Sequence, residues 1–485
     1  MPIKKRPFKF RKRQIPKLNY GILHSQTGYS DGVSIVMDQI ESMMTKDMNI
    51  PKSNIHYLVG SAKKQSPRIR QCKYIWHKYY INKRAVKYFN EGYGGSVSEK
   101  LEKAINIAQK EIEDFIDDKK IDVIIAHNTG HPVNFVLAVA LSRYYRDSIK
   151  NKKTTPKYIL WWHDSHLERK RFQDPPNDVT RYLRQGIPGK YVEYIVFINS
   201  LQFDQVQPYF LEMDKQHPGY YESIFKNHDV IYNTATLTID SYSDLKKDRY
   251  QETAERFIKA FKIDKLLRKH RLSFSDIQFC LQHTRIVPRK RIDFALRYAY
   301  ELFDKLKKKK ERKAMVFFVS GHSGDETGNY KRKIIKLNRQ LSETYNTKKF
   351  FLMFAEDREK EIETGIYFEE FPAIFARLGG ISTYFSEIEG FGNNLLEVLA
   401  GGLIPVIYTY PVFVKDIAKY KFNAIALKSF NIEKESIDPV IELIEKERKR
   451  KLWANSNLKI LKRNFSHKII SRKLKRAIIR ARQHI

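Results

Sequence analysis

The sequence predicts an α/β protein made of two consecutive doubly wound domains followed by a helical segment. Three features carry that expectation: short apolar runs alternate with amphipathic stretches, the alternation pauses once and restarts, and the last residues are helical in pattern and strongly basic. The runs of the first half are LNYGILHS (18–25), IHYLVG (55–60), IDVIIAHN (121–128), YILWWHD (158–164), YIVFINS (194–200) and VIYN (230–233). Between them lie helical patterns such as SEKLEKAINIAQKEIEDFI (98–116). Continuously apolar strands separated by helices belong to parallel sheets covered on both faces. A charged helical stretch, 243–272, lacks strand signals and is the expected connection between domains. The alternation then resumes with DIQFCLQH (276–283), MVFFVSG (315–321), KFFLMFAE (349–356), ISTYFSE (381–387), LIPVIYTY (403–410) and AIALK (424–428). The expected organisation is a basic flexible arm at 1–17, an N-terminal domain at 18–265, a C-terminal domain at 266–435 and basic helices at 436–485, partly packing back on the N-terminal domain. Two such domains in tandem face each other across a cleft, and ligands gather at the C-terminal ends of their strands.

Composition narrows the class. The chain has 485 residues, enough for two or three domains with cores of their own. Lys and Arg number 90 against 55 Asp and Glu, a formal net charge of +35 that attracts polyanions such as nucleic acid, anionic lipid or phosphorylated substrates. A Lys-rich surface of no particular function accounts for the charge equally well. Cys72 and Cys280 lie too far apart and are too few for a disulfide framework. No apolar run reaches the length of a spanning helix, and the basic N-terminus is not followed by the apolar segment of a signal peptide. The expectation is a soluble cytoplasmic protein, with peripheral contact at the inner face of an anionic membrane left open for the basic C-terminal helices.

The most informative stretch is SEIEGFGNNLLEVLAGGLIPVI (386–407), which reads strand, turn, helix, strand. Gly390 and Gly392 let the backbone turn tightly, Phe391 sits between them, and the N–H groups of Asn393, Asn394 and Leu395 would open the helix toward a ligand. A helix N-terminus favours an anion such as a diphosphate. Glu397, near the start of that helix, is placed to accept hydrogen bonds from the vicinal hydroxyls of a ribose. Glu389 and Glu397, with EGFG and LLE inside and G-x-x-P-V following, resemble the E-x(7)-E hallmark of retaining GT-B glycosyltransferases of family 4.

Other segments agree with that resemblance. In QHTRIVPRKRIDFAL (282–296), Arg285 and Lys290 match by spacing the family's basic pair, which binds the donor diphosphate and stabilises the departing nucleotide. Thr284 and Arg291 stand where the family usually has Gly. In TGYSDGVSIVMDQI (27–40), Gly32 would touch the donor phosphate, with Asp31 in place of a second Gly. In IIAHNTGHPVNF (124–135), the resemblance gives His127 the contact with the transferred sugar, and a backbone role at a strand end is the alternative. A zinc site with His131 is disfavoured because Gly and Pro break the helix it would need. In YILWWHDSHLERKRF (158–172), His163, Asp164, Glu168 and Arg169 resemble an HD-x-x-x-ER stretch on the acceptor side, with a structural salt-bridge network as the alternative. Asn199, Ser200 and Asn233 serve as fold markers.

The resemblance covers about 18–430 and implies a GT-B architecture of two Rossmann-like domains, the N-terminal one on the acceptor side and the C-terminal one on the nucleotide-sugar side. It implies transfer of a hexose from a UDP- or GDP-linked donor to an acceptor hydroxyl, with retention and without a metal or other cofactor. Glu389, His127, Arg285 and Lys290 would be catalytic, and domain closure would exclude water. The alternative is a basic polyanion- or nucleic-acid-binding protein on an inactive GT-B scaffold, although no zinc-finger or RNA-binding signature favours nucleic acid.

Overall fold

The computed structural model describes residues 18–29, 31–186, 191–216, 218, 227–323, 329–360 and 362–483, so the arm at 1–17 lies outside the described residues. Two all-parallel sheets are present. The first contains β1 (Tyr20–Thr27), β2 (Ile55–Ala62), β3 (Ile69–Gln71), β4 (Val123–His127), β5 (Lys157–Trp162), β6 (Tyr194–Phe197) and β7 (His228–Val230), in the order β3-β2-β1-β4-β5-β6-β7. The second contains β8 (Ile277–Gln282), β9 (Ala314–Val319), β10 (Phe350–Phe354), β11 (Ile381–Tyr384), β12 (Pro405–Tyr408) and β13 (Ile425–Leu427), in the order β10-β9-β8-β11-β12-β13. Every side chain of β8 (IQFCLQ) and β9 (AMVFFV) is buried, the condition of a strand covered on both faces. The edge strand β10 keeps its three middle residues half-buried. Cys72 and Cys280 are both free and buried.

In each sheet, chain order reverses beside the first strand. From β1 the chain moves out to β2 and β3, then returns to place β4 on the other side; β8, β9, β10 and β11 repeat the pattern. The carboxyl ends of β1 and β4, and of β8 and β11, are therefore topological switch points, where the following loops diverge and open a crevice.

The chain divides into two compact units, Met1–Ile231 with Ile470–Ile485, and Tyr232–Ile469. These limits differ from the expected 18–265, 266–435 and 436–485. Stretch 243–272 forms the helices Asp248–Ala260 and Ile263–His270 and belongs to the second unit. The reason is its apolar stripe: Phe257 is fully buried, with ring centroids 5.2 Å from Phe318 and 5.3 Å from Phe375. The helices Lys434–Glu445 and Glu447–Asn464 also belong to the second unit, whereas the chain from Ile470 joins the first. There Leu474, Ala477, Ile478 and Ala481 are buried, and Lys473 Nζ donates to the Val230 carbonyl over 3.1 Å. Among the described residues no helix is long and apolar enough to cross a membrane.

Candidate active site

In the second unit, the segments after β8 and β11 meet at the switch point. After β8 the chain makes a short turn, Pro288–Lys290, before the helix Ile292–Lys308. Arg291 leaves that turn with φ 45°, a left-handed conformation that explains why glycine is favoured there. Arg291 is held in place by Glu387 over 2.7 Å and by the Phe430 ring, 4.3 Å from its guanidinium carbon. Close backbone approach at Thr284 is accommodated by Gly321, whose added Cβ would lie 2.2 Å from the Thr284 carbonyl oxygen.

Lys290 is 3% exposed and its Nζ donates to Glu389 Oε1, which also accepts from the Tyr384 hydroxyl over 2.7 Å. Arg289 Nη1 stands 3.5 Å from the other Glu389 oxygen and donates to the Ile388 carbonyl over 2.8 Å. Arg285 is exposed on the same loop. Burial alone would raise the Glu389 carboxyl, but Lys290 and Arg289 overcome it and hold the group down at about 2. Burial draws the Lys290 ammonium down to about 8; Glu389 opposes that shift, and Arg289 and Arg285 add to it. Two cations, Lys290 and Arg289, thus flank one carboxylate, and Arg285 acts on Lys290 from the same loop, an excess of positive charge suited to a diphosphate.

Sequence reasoning missed Arg289, although it stands beside Lys290 and between the two named residues, Arg285 and Lys290. It also missed Tyr384 and His283, whose positions show no pattern along the chain. His283 Nε2 lies 3.0 Å from Glu397 Oε2.

The β11 loop reaches the helix Asn393–Ala400 through Gly392, which has φ 112° and whose added Cβ would fall 2.2 Å from the Tyr410 hydroxyl oxygen. Only glycine fits that position. Two expectations need correcting. Phe391, expected among the donor-binding residues, is 2% exposed with its ring centroid 5.1 Å from that of Tyr232, so its side chain packs in the core and only its backbone is left for a ligand. The Leu395 N–H donates to the Gly392 carbonyl over 3.0 Å, so the turn itself uses it. Asn393 accepts from Asn233 Nδ2 over 2.7 Å, which fixes the helix start, and Gly390 precedes it in the same loop. Asn394 and Glu397 remain partly exposed, with Asn394 Nδ2 3.4 Å from Glu397 Oε2.

In the first unit, the switch point brings His24 and His127 together. His24 Nδ1 donates to the His127 carbonyl over 3.1 Å. The fully buried His127 ring has Nδ1 3.1 Å from His163 Nε2, while among the described residues its Nε2 has no hydrogen-bond partner. Burial pushes His24 down to about 4, His163 to about 3 and His127 well below the usual range, so the three rings are neutral at pH 7.

Asp31 caps the helix Gly32–Ser42, accepting from the N–H groups of Val33 and Ser34 over 3.1 Å each. It uses donors that a phosphate would otherwise take. An added Cβ at Gly32 would meet nothing within 4 Å, so packing does not demand glycine there.

The HD-x-x-x-ER cluster divides by role. Glu168 turns inward and accepts from Trp162 Nε1 over 2.9 Å, Ser165 Oγ over 3.1 Å and Gln202 Nε2 over 3.1 Å, so it braces the loop and does not face an acceptor. Burial and Asp164 push its carboxyl up to about 7. Asp164 pairs with Arg169 Nε at 3.0 Å and lies 4.0 Å from His131 Nε2. Burial opposes ionisation of Asp164, but His131 and Arg169 lower it. The Arg169 side chain is 41% exposed. His131 Nδ1 accepts from the Val133 N–H over 3.1 Å as a helix cap, and among the described residues no group of His, Cys, Asp and Glu has the geometry to hold a metal.

No family model matches the sequence. Over 441 residues the chain is 26% identical to mannosylglucosylglycerate synthase of Petrotoga mobilis, covering 85% of this chain and 87% of that protein. Solved structures align over nearly the whole chain. An α,α-trehalose 6-phosphate synthase from Burkholderia multivorans gives a TM-score of 0.62 at 9% identity, covering 96% of this chain and 98% of that one. Anabaena HepE, in complex with UDP and glucose, gives 0.54 at 10%, covering 95% and 99%. WaaG, a glycosyltransferase involved in lipopolysaccharide biosynthesis, gives 0.52 at 13%, covering 95% and 99%.

Proposed function

We propose that this chain, a glycosyltransferase of GT-B fold, moves a hexose from a UDP- or GDP-linked donor to an acceptor hydroxyl, with retention and without a metal. The observation that carries the reading is the buried Lys290–Glu389 pair at a switch point, with Arg285 and Arg289 beside it and a helix N-terminus following. In this reading Lys290, Arg285, Arg289 and the helix start at Asn393 neutralise the diphosphate as the sugar–oxygen bond lengthens. Charge supplied by fixed side chains and helix dipoles does the work a metal ion does elsewhere. Glu397 holds the ribose, and Glu389, kept ionised by its two cations, orients sugar hydroxyls. The leaving phosphate takes the acceptor's proton. The resemblance gives the sugar contact in the first unit to His127, whose ring is buried here and whose Nε2 has no partner among the described residues, so that contact requires the loops over it to open. His163, Asp164 and Arg169 are assigned to the acceptor, and of these Asp164 and Arg169 are partly exposed.

The basic terminus adds a location to this reading. The helix His467–Gln483 carries seven Lys or Arg and no Asp or Glu. Lys468, Arg472, Arg476 and Arg480, four residues apart on one face, are all exposed. A polybasic face of this kind docks on anionic lipid headgroups at roughly 1 kcal/mol per basic residue.

The test is binding and slow hydrolysis of UDP- and GDP-hexoses, with wild type beside Glu397→Ala and Lys290→Ala, in buffer with and without EDTA. One donor bound, hydrolysed, lost in both variants and indifferent to EDTA is the expected result. Folded protein that binds no nucleotide sugar would sink the reading in favour of polyanion binding. The name of the Petrotoga relative makes glycerate-bearing glycosides the first acceptors to try.

A further inference from the structure

His283 follows β8 directly, is fully buried, and has both ring nitrogens engaged. Nδ1 lies 2.9 Å from Ser320 Oγ at the end of β9, and Nε2 lies 3.0 Å from Glu397 Oε2. The Phe368 ring stacks on it, with centroids 4.1 Å apart and planes 19° from parallel. A carboxylate oxygen accepts, so the hydrogen between the two groups sits on Nε2, while Nδ1 shares a hydrogen bond with the Ser320 hydroxyl, which can either donate or accept. The chain of contacts runs Ser320 Oγ, His283, Glu397, with His283 Nε2–H donating to Glu397. Its composition is that of a hydrolase triad, but Ser320 is fully buried and its oxygen cannot meet a substrate. What reaches solvent is the other end. Glu397 is 26% exposed, and among the described residues its two donors, His283 and Asn394, both land on Oε2, so Oε1 is the oxygen presented to a ligand.

We propose that His283 is a positioning residue for donor recognition, fixing the Glu397 carboxylate through Nε2 so that it receives the two hydroxyls of a nucleotide's ribose. The inference rests on the reading of Glu397 as the ribose-holding group. A carboxylate on a helix surface samples several rotamers, and each must be given up when a ligand binds. The stacked, doubly hydrogen-bonded imidazole removes that freedom in advance, as a supporting group does for a binding residue.

The experiment compares UDP and GDP with their 2′,3′-dideoxy analogues on the full chain, in wild type, His283→Ala and His283→Gln. Wild type is expected to bind the better diphosphate about tenfold more tightly than its dideoxy form, the size of a lost charge-assisted hydrogen bond. His283→Ala is expected to bring that ratio to about one by weakening only the diol-bearing nucleotide. KM for the donor rises accordingly, with kcat within about threefold. His283→Gln, whose amide supplies a donor, is expected to restore most of the ratio. His283→Phe, which keeps the volume and the stack on Phe368, replaces the alanine variant if that does not fold. A folded variant without the imidazole that keeps the full ratio overturns the role of His283. A wild type that does not distinguish the two nucleotides overturns the ribose reading of Glu397, and this inference falls with it.

Discussion

At the scale of single residues, the proposed donor site is built around one buried ion pair, Lys290 with Glu389. Removing one partner leaves the other charged and buried, which typically costs 3–5 kcal/mol. Lys290→Ala is therefore expected to lower the melting temperature as well as abolish donor binding, and Lys290→Ala with Glu389→Gln should recover stability without recovering binding. A double variant no more stable than the single one would count against the pair. The titration of Lys290 gives binding a direction with pH. The ammonium is the binding form, and in the ligand-free protein it is lost as pH rises through about 8. The dissociation constant for the diphosphate is expected to rise above that pH, with the step displaced upward in the complex because the bound anion favours the charged form. Calorimetry between pH 6.5 and 9.5 checks this, and a flat profile argues against Lys290 as the diphosphate ligand. Glu389 acts in the other sense for stability. Its folded carboxyl lies below its unfolded value, so its contribution is present above the ordinary carboxylate range and is lost as pH falls toward about 2.

At the scale of elements, two glycines that look alike in sequence behave differently. Gly392 carries the strand-to-helix turn with φ 112° beneath the Tyr410 hydroxyl. Gly392→Ala is expected to cost about 1–3 kcal/mol from backbone strain, with further loss from the clash, and to weaken donor binding because the helix start moves. Gly32 opens its helix with empty space above it. Gly32→Ala is expected to leave the melting temperature within about 2 °C. Donor affinity falls in that variant only if the loop approaches a phosphate. Thermal melts and donor titrations on both variants separate the two roles. The elements themselves were legible to different degrees. Buried runs such as IQFCLQ and AMVFFV announce their strands, because a strand covered on both faces has no polar side to show. The three-residue β3, with Arg70 at its centre, carries no such signal; it forms at the sheet edge because β2 offers its backbone there.

At the scale of the whole molecule, the +35 charge is a property of both units, but its arrangement on the last helix is specific. Vesicles with anionic lipid are expected to co-sediment the protein at low salt and release it as salt screens the attraction. Reversing Lys468, Arg472, Arg476 and Arg480 to Glu is expected to abolish that binding while donor affinity stays unchanged. Sedimentation that ignores lipid charge would remove the membrane from this reading. The unit boundary at Tyr232 was not legible along the chain. A charged amphipathic helix reads as a linker until the core that receives its apolar stripe is known, and for Phe257 that core is built from residues more than 60 positions away, Phe318 and Phe375.

The sequence by itself determined the two parallel sheets and the switch-point loops, and it named the charged residues that the loops carry. Strand burial, glycine turns and charged side chains at strand ends are local properties, written in consecutive residues. The tertiary structure decided which of those residues act together. It paired Lys290 with Glu389, added Arg289, Tyr384 and His283, turned Phe391 and Glu168 inward, and joined His127 to His163. Those relations depend on β8 lying beside β11 and β4 beside β5, neighbours that the order of the chain alone does not reveal.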